Sequence, residues 1–214
     1  MNGTRLFSTG LSVADVAVSR GGRRIVEGAS FTLRPGEALL MRGPNGSGKT
    51  TLLRAVAGLA AIEGGEARLI REGADETGES ARRAAIIYCG HANSVKAAMS
   101  GRQNLRFWTA LYNAPADRID AAIDAFDLGA FVAAPAGALS AGQRRRLGLA
   151  RLVISGRPLW LLDEPTAAVD VASSARLSGV IAAHRARGGA VIVATHDGLK
   201  LDDALTVHIN AVAA

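Results

Sequence analysis

The run GPNGSGKT, residues 43–50, constrains this chain more than any other stretch. It fills every fixed position of the pattern G-x-x-x-x-G-K-[ST], and its flanks supply the setting that the pattern needs. Ahead of it, Ala38 to Arg42 is a short apolar run that reads as a strand. Behind it, KTTLLRAVAGLA has helical spacing, with Gly58 as a stop. Gly43, Gly46 and Gly48 let the backbone curl until successive N–H groups face one concavity. The helix start adds its partial positive charge there. A loop of Gly43, Pro44, Asn45, Gly46, Ser47 and Gly48 closing onto Lys49, Thr50 and Thr51 therefore suits a polyphosphate. Lys49 would reach the β- and γ-phosphates, and Thr50 would place a hydroxyl on Mg²⁺.

The rest of the chain alternates strands and helices, which implies an α/β sheet. LSVADVAV, residues 11–18, reads as an edge strand, and GASFTLRPGEALLMRG gives a second strand and a turn at Arg34-Pro35-Gly36 before the strand at Ala38. EARLI and AAIIY read as strands, and the polar residues 71–80 between them as a loop. Residues 95–155 change character: they are Ala-rich and helical by pattern, with breaks at Asn113-Ala114-Pro115 and at residues 133–137. This segment reads as a mostly helical insertion in the α/β core. PLWLLDEP, AVIVATHD and ALTVHINAV read as further strands, and SSARLSGVIAAHRARGG as a helix.

A chain of 214 residues with 49% hydrophobic content can bury one sizeable core, and that composition excludes a disordered chain. Cys89 is the single cysteine, so neither a disulfide framework nor a cysteine-rich metal site is available; a reducing compartment fits. The net charge of +6 favours polyanions, although an Arg-rich chain also uses Arg where others use Lys. The first residues, Met1 to Phe7, lack the apolar core of a signal peptide, and no window approaches the roughly 20 apolar residues of a membrane helix. The expectation is a protein that does not cross a bilayer by itself and that, if it works at a membrane, docks there on a partner.

Three further segments carry chemistry. Residues 159–162 form an apolar strand that ends in Asp163 and Glu164. Asp163 would hold Mg²⁺ through water, and Glu164 would orient or deprotonate an attacking water. LSAGQRRRLGLARL, residues 139–152, places Ser140, Gly142 and Gln143 at a helix start, a second anion-binding end. Arg144, Arg145 and Arg146 read as a solvated face of that helix. His196 in ATHD falls at a strand end and, if the strands are parallel, at the sheet edge that carries the other sites.

In this order, the four segments resemble the nucleotide-binding domain of ABC transporters, over nearly the whole chain. The resemblance implies a P-loop NTPase fold: one ABC-type domain over residues 1–214, with an antiparallel β subdomain and a helical subdomain at about residues 92–155. It implies ATP and Mg²⁺ as ligands. LSAGQ looks like the signature loop, Asp163 like the Walker B aspartate and Glu164 like the catalytic glutamate. Ala167-Ala168-Val169-Asp170 looks like the D-loop, and His196 like the switch histidine at the γ-phosphate. In that family two such domains pair head to tail, each signature loop completing the partner's site, so a homodimer is implied.

Two positions depart from the family pattern. Arg20 in SRGGRR stands where an aromatic usually stacks on adenine; a guanidinium plane stacks less well, which touches adenine selectivity and not phosphate chemistry. His91 in YCGHANSVK stands where the Q-loop glutamine senses Mg²⁺ and the γ-phosphate. No second His, Cys or carboxylate cluster lies nearby at ligand spacing, so His91 reads as a Q-loop substitute and a weak metal ligand, not a separate metal site.

GH followed by Lys96, NLRFW at residues 104–108 and LSAGQ in place of LSGGQ look like the ATP-binding subunits of cytochrome c maturation (haem exporter) complexes. Gln103 stands where most of those have Glu. That resemblance implies a peripheral protein on the cytoplasmic face of a bacterial inner membrane. It implies docking on a separate multi-span membrane subunit, an indirect link to a periplasmic haem chaperone, and no nucleic-acid partner. The alternatives are the ATPase subunit of another ABC exporter (lipid, peptide or small molecule) and a soluble ABC ATPase acting on DNA or ribosomes. The second would bring two nucleotide domains or a long coiled coil, which this chain lacks. A P-loop kinase would have no use for LSAGQ.

Overall fold

The computed structural model describes residues 6–71, 75–167, 169–196, 199 and 201–210. The chain forms two compact units: Met1–Gly90 with Arg157–Glu164 and Ile181–Ala214, and His91–Gly156 with Pro165–Val180.

The first unit contains two sheets. β1 (Gly10–Arg20), β2 (Arg23–Leu33) and β4 (Gly64–Ile70) form an antiparallel sheet in the order β2-β1-β4. β1 is therefore the central strand and not the edge strand expected from its loose alternation. β4 follows more than 40 residues later and supplies the second neighbour, a partner no local pattern in β1 reveals. β3 (Ala38–Arg42), β5 (Ile86–Cys89), β6 (Leu159–Asp163), β7 (Ala190–Ala194) and β8 (Leu205–His208) form a parallel sheet in the order β5-β6-β7-β3-β8. Every residue of β6 and β7 is buried, as their unbroken apolar runs require of central parallel strands. α1 (Lys49–Val56) buries Leu52, Leu53 and Val56 in one cluster with Met41, Leu161 and Ile192. That packing fixes the start of α1 at the carboxyl edge of the parallel sheet.

Part of the expected polar loop is ordered differently. Glu76 bridges back to Leu69 through two backbone bonds of 2.8 and 3.1 Å, and residues 72–74 of that loop lie outside the described residues. α2 (Glu79–Ala85) then takes Ala84 and Ala85, leaving the strand to start at Ile86. Arg82 is buried in it and donates to the carbonyls of Val56, Ala67 and Thr77.

The second unit is helical: α3 (Gly101–Leu111), α4 (Arg118–Phe126), α5 (Ala141–Ser155) and the first part of α6 (Val171–Ala186). A 3-10 turn at Ala136–Ala138 occupies the expected second break. Both α3 and α5 start in capping boxes. Ser100 accepts from the Gln103 N–H at 3.2 Å while Gln103 Oε1 accepts from the Ser100 N–H at 2.8 Å; Ser140 and Gln143 repeat this at 3.2 and 2.9 Å. Gln103 thus does what a Glu does at that position.

Candidate functional site

The loop after β3 is held open by backbone that only glycine tolerates. Gly48, the N-cap of α1, has φ 99°, and a Cβ on it would lie 2.6 Å from Val26 Cγ2. Gly43 has φ 151°, and a Cβ there would clash with the Ile209 carbonyl. Lys49 is only 7% exposed; its Nζ donates to the carbonyls of Gly43 at 2.7 Å and Pro44 at 2.9 Å. The Ser47 N–H also returns to the Pro44 carbonyl, at 3.2 Å. Ser47 Oγ is buried, with no hydrogen-bond partner among the described residues.

Three parallel strands deliver side chains to the same edge. Asp163 closes β6, is 4% exposed, and its Oδ2 accepts from Thr50 Oγ1 at 2.8 Å and from Tyr88 Oη at 3.0 Å. Burial, then the neighbouring Asp163 carboxylate, push the Tyr88 phenol well above its ordinary pKa. Glu164 turns the chain sharply with φ 47°, a left-handed conformation rare outside glycine. Its N–H donates to the Ala194 carbonyl at 2.8 Å, which ties the turn to the end of β7. Its carboxylate accepts from Thr195 Oγ1 at 3.3 Å and lies 2.9 Å from His196 Nδ1. The His196 side chain is 54% exposed.

A cavity of about 430 Å³ unites these groups: its lining takes Asn45, Gly46, Gly48, Lys49, Thr50 and Thr51 from the loop and α1, Asp163 and Glu164 from the end of β6, and Arg20 with Ile25 from β1 and β2. Arg20 is the last residue of β1, before the Gly21-Gly22 turn.

The other expected site residues belong to the second unit. His91 is exposed in a bend, and its carbonyl accepts from Arg145 Nη1 at 3.4 Å. Ser140, Gly142 and Gln143 form the capped start of α5. Asp170 caps α6: its Oδ1 accepts from the Ser173 N–H at 2.7 Å, and that bond holds its carboxyl below the usual pKa. Ala168 lies outside the described residues. The expected solvated face at residues 144–146 fails at Arg145, which is 4% exposed. Its guanidinium donates to the Pro165 carbonyl at 3.0 Å and to Asn93 Oδ1 at 3.2 Å. Gly148 one turn on allows this, because a Cβ there would sit 2.7 Å from the Asn93 carbonyl. Arg146 packs over the Phe131 ring and pairs with Asp127.

The family model of ABC transporters matches residues 26–167. The chain belongs to the ABC transporter family. Similar proteins include two named "Cytochrome c biogenesis ATP-binding export protein CcmA". The one from Paracoccus denitrificans is 48% identical over 91% of this chain and 86% of its own length. The one from Brucella abortus is 45% identical over 94% and 92%. Among solved structures, an ATP-binding subunit of an ABC transporter superposes with a TM-score of 0.81 at 19% identity, over 94% of this chain and 85% of that one. A bacterial Atm1-family ABC exporter with ATP bound gives 0.80 at 21%, over 98% of this chain and 38% of that one. The fold is that of an ABC nucleotide-binding domain, and the chain is an ATP-hydrolysing ABC subunit.

The residues of this ABC ATPase fit a magnesium nucleotide. An uncapped helix start, a buried ammonium and the orphaned Ser47 hydroxyl together suit phosphate oxygens. Among the described residues no three His, Cys, Asp or Glu side chains cluster into a metal cage. One hydroxyl and one carboxylate, Thr50 and Asp163, already meet, the hydroxyl donating to the carboxylate at 2.8 Å; that sparse set suits Mg²⁺, which keeps several waters and takes phosphate oxygens as ligands. Reading the sequence alone missed Tyr88 and Thr195, which touch the two acids, and Ile25, which offers the cavity an apolar wall. Along β5, Ile86 and Tyr88 share one face of the strand, and the half-buried phenol reaches Asp163 from there.

Proposed function

We propose that this protein hydrolyses Mg-ATP as the energy-supplying subunit of a membrane complex that exports haem, or releases a loaded haem chaperone, in cytochrome c biogenesis. The observation that carries the catalytic half is the meeting of Lys49, Thr50, Asp163 and Glu164 around one cavity, with His196 bonded to Glu164. The similarity to cytochrome c biogenesis export proteins supports the pathway.

In this reading Lys49 and the loop amides from Asn45 to Thr51 hold the phosphates of ATP. Thr50 and Asp163 hold Mg²⁺, which when bound neutralises charge on the reacting oxygens. Glu164 takes a proton from the attacking water, and its bonds to Thr195 and His196 aim the carboxylate. His196, whose Nδ1 lies 2.9 Å from the Glu164 carboxylate, acts as the switch histidine at the γ-phosphate. Ile25 and Arg20 receive the base, the aliphatic chain beneath it and the guanidinium plane against it. Ser140 and Gly142 of a second copy contact the γ-phosphate in a head-to-tail homodimer, with Gln143 and Asp170 at the same junction. His91 acts as the Q-loop residue that relays the nucleotide state to a separate multi-span membrane subunit. In keeping with the relatives named for cytochrome c biogenesis export, the protein sits peripherally on the cytoplasmic face of the inner membrane, linked only indirectly to a periplasmic haem chaperone; no helix among the described residues is long and apolar enough to cross a membrane. It takes no nucleic acid.

Glu164→Gln tests both halves. It should bind ATP but lose turnover by roughly 100-fold or more, the share of a general base. Used as bait in detergent-solubilised membranes with ATP, it should retain a multi-span protein and cytochrome c maturation proteins. Wild-type turnover sinks the catalytic assignment; capture of a different permease sinks the haem pathway alone.

A further inference from the structure

We propose that Tyr88 is a positioning residue for the metal site: its phenol locks the Asp163 carboxylate in the orientation that, with Thr50, receives the divalent cation. The inference rests on the Mg-ATP reading above and names a residue that reading does not use.

The geometry begins with strand register. β5 and β6 run parallel with Tyr88 opposite Leu161. Side chains two apart share a face, so Tyr88, Leu161 and Asp163 point the same way. Leu161 faces the apolar cluster against which the Tyr88 ring packs. A ring leaning along the strand reaches one pair further, and its hydroxyl arrives at Asp163 Oδ2 at 3.0 Å.

A half-buried tyrosine hydroxyl usually finds a partner, and a carbonyl would serve. Here the partner is the oxygen that also accepts from Thr50 Oγ1 at 2.8 Å. Two donors from different elements, β5 and α1, thus converge on Oδ2. The carboxylate cannot turn about its χ2 without breaking both bonds. Thr50 can keep donating its proton to Oδ2 while its oxygen lone pair faces a cation. The phenol keeps the acceptor still while that happens.

A second, independent observation fixes the phenol. The chain leaves β5 at Gly90, where an added Cβ would stand 2.9 Å from Tyr88 Oη and 3.0 and 3.1 Å from the adjacent ring carbons. Glycine at 90 therefore lets the backbone lie directly on the phenol edge. The core holds the ring on one side and the Gly90 backbone on the other, so the hydroxyl has little freedom to leave Asp163.

Outer partners of this kind set metal affinity, and their loss typically costs 10- to 100-fold. Tyr88→Phe in the full chain keeps the ring and removes the hydroxyl. Two readings are needed: Mn²⁺ binding with a non-hydrolysable ATP analogue, followed by electron paramagnetic resonance, and a Mg²⁺ titration of turnover at saturating ATP. The expected result is a rise of about tenfold in the half-saturating metal concentration, with turnover at saturating metal and metal-free nucleotide binding retained. A folded Tyr88→Phe with a wild-type metal curve overturns the proposal. So does an equal loss of metal-free nucleotide binding, which would mark a packing role only. Should Tyr88→Phe not fold, Gly90→Ala keeps the hydroxyl but pushes on it and should raise the metal requirement in the same way; an unchanged curve in that variant is equally fatal. Wild-type protein that binds the analogue no better with Mn²⁺ than without overturns the parent reading, and this one with it.

Discussion

The starts of α1 and α5 both sit beside glycines, and both promise a seat for an anion, yet they treat their first amides in opposite ways. At α1 the cap is Gly48, in a left-handed conformation, with no side chain to turn back on the helix. At α5 the cap is Ser140, and Ser140 and Gln143 close a reciprocal box. A box satisfies two of the donors that a bare helix start leaves open. α1 thus holds its donors for a ligand. α5 spends part of its own on itself, and an anion there must share or displace side chains. Ser100 and Gln103 build the same box on α3, a matched control inside the same molecule.

The largest effect should come from emptying the α1 side of this contrast. Lys49→Ala removes a charged donor worth about 3 kcal/mol to a phosphate, roughly 100-fold in affinity. Calorimetric titration with ATP should show that loss, and ATP should raise the Tm of wild-type protein but not of the variant. If ATP still protects the variant, α1 is not the seat.

A smaller effect separates the two boxes. Ser140→Ala and Ser100→Ala should each cost about 1 kcal/mol, lowering Tm by roughly 2–4 °C for a chain of this size. Only Ser140→Ala should also depress ATP turnover, since the proposed head-to-tail dimer brings α5, and not α3, to a partner's nucleotide. Equal turnover in both variants would reduce the α5 start to an ordinary capped helix. The smallest effect is Gln103→Glu, which preserves the box and adds a negative charge at a positive helix end. It should raise stability by about 0.3–1 kcal/mol, read from denaturant unfolding at low salt.

This contrast bears on what a sequence discloses. The loop after β3 was legible because glycines, lysine and threonine stand at fixed spacing between two apolar runs. β6 and β7 were legible because unbroken apolar strands have few other destinations. α2 was not: ESARRAA has no apolar stripe, and Arg82, buried on its inner side, bonds to carbonyls up to 26 residues away. The central place of β1 was hidden for the same reason, since pairing with β4 is a long-range event. Arg145 looked solvated because three arginines in a row suggest a wet face; only the close approach allowed by Gly148 makes room for a buried one. The contact of Tyr88 with Asp163 spans 75 residues and follows from the register between β5 and β6. The caps on α3 and α5 were half visible, as S-x-x-Q, but which of them faces a nucleotide is not a local property.

The left-handed turn at Glu164 has a consequence for anyone engineering this protein. A residue with a Cβ costs about 1–2 kcal/mol in that conformation, whereas glycine adopts it freely and asparagine with little penalty. A library screened only for survival on heating would therefore drift toward Gly or Asn at 164. Its winners would be sturdier proteins without the carboxylate proposed as the base that activates water. Heat resistance and turnover pull position 164 in opposite directions, so a screen for one must be run with the other as a counter-selection.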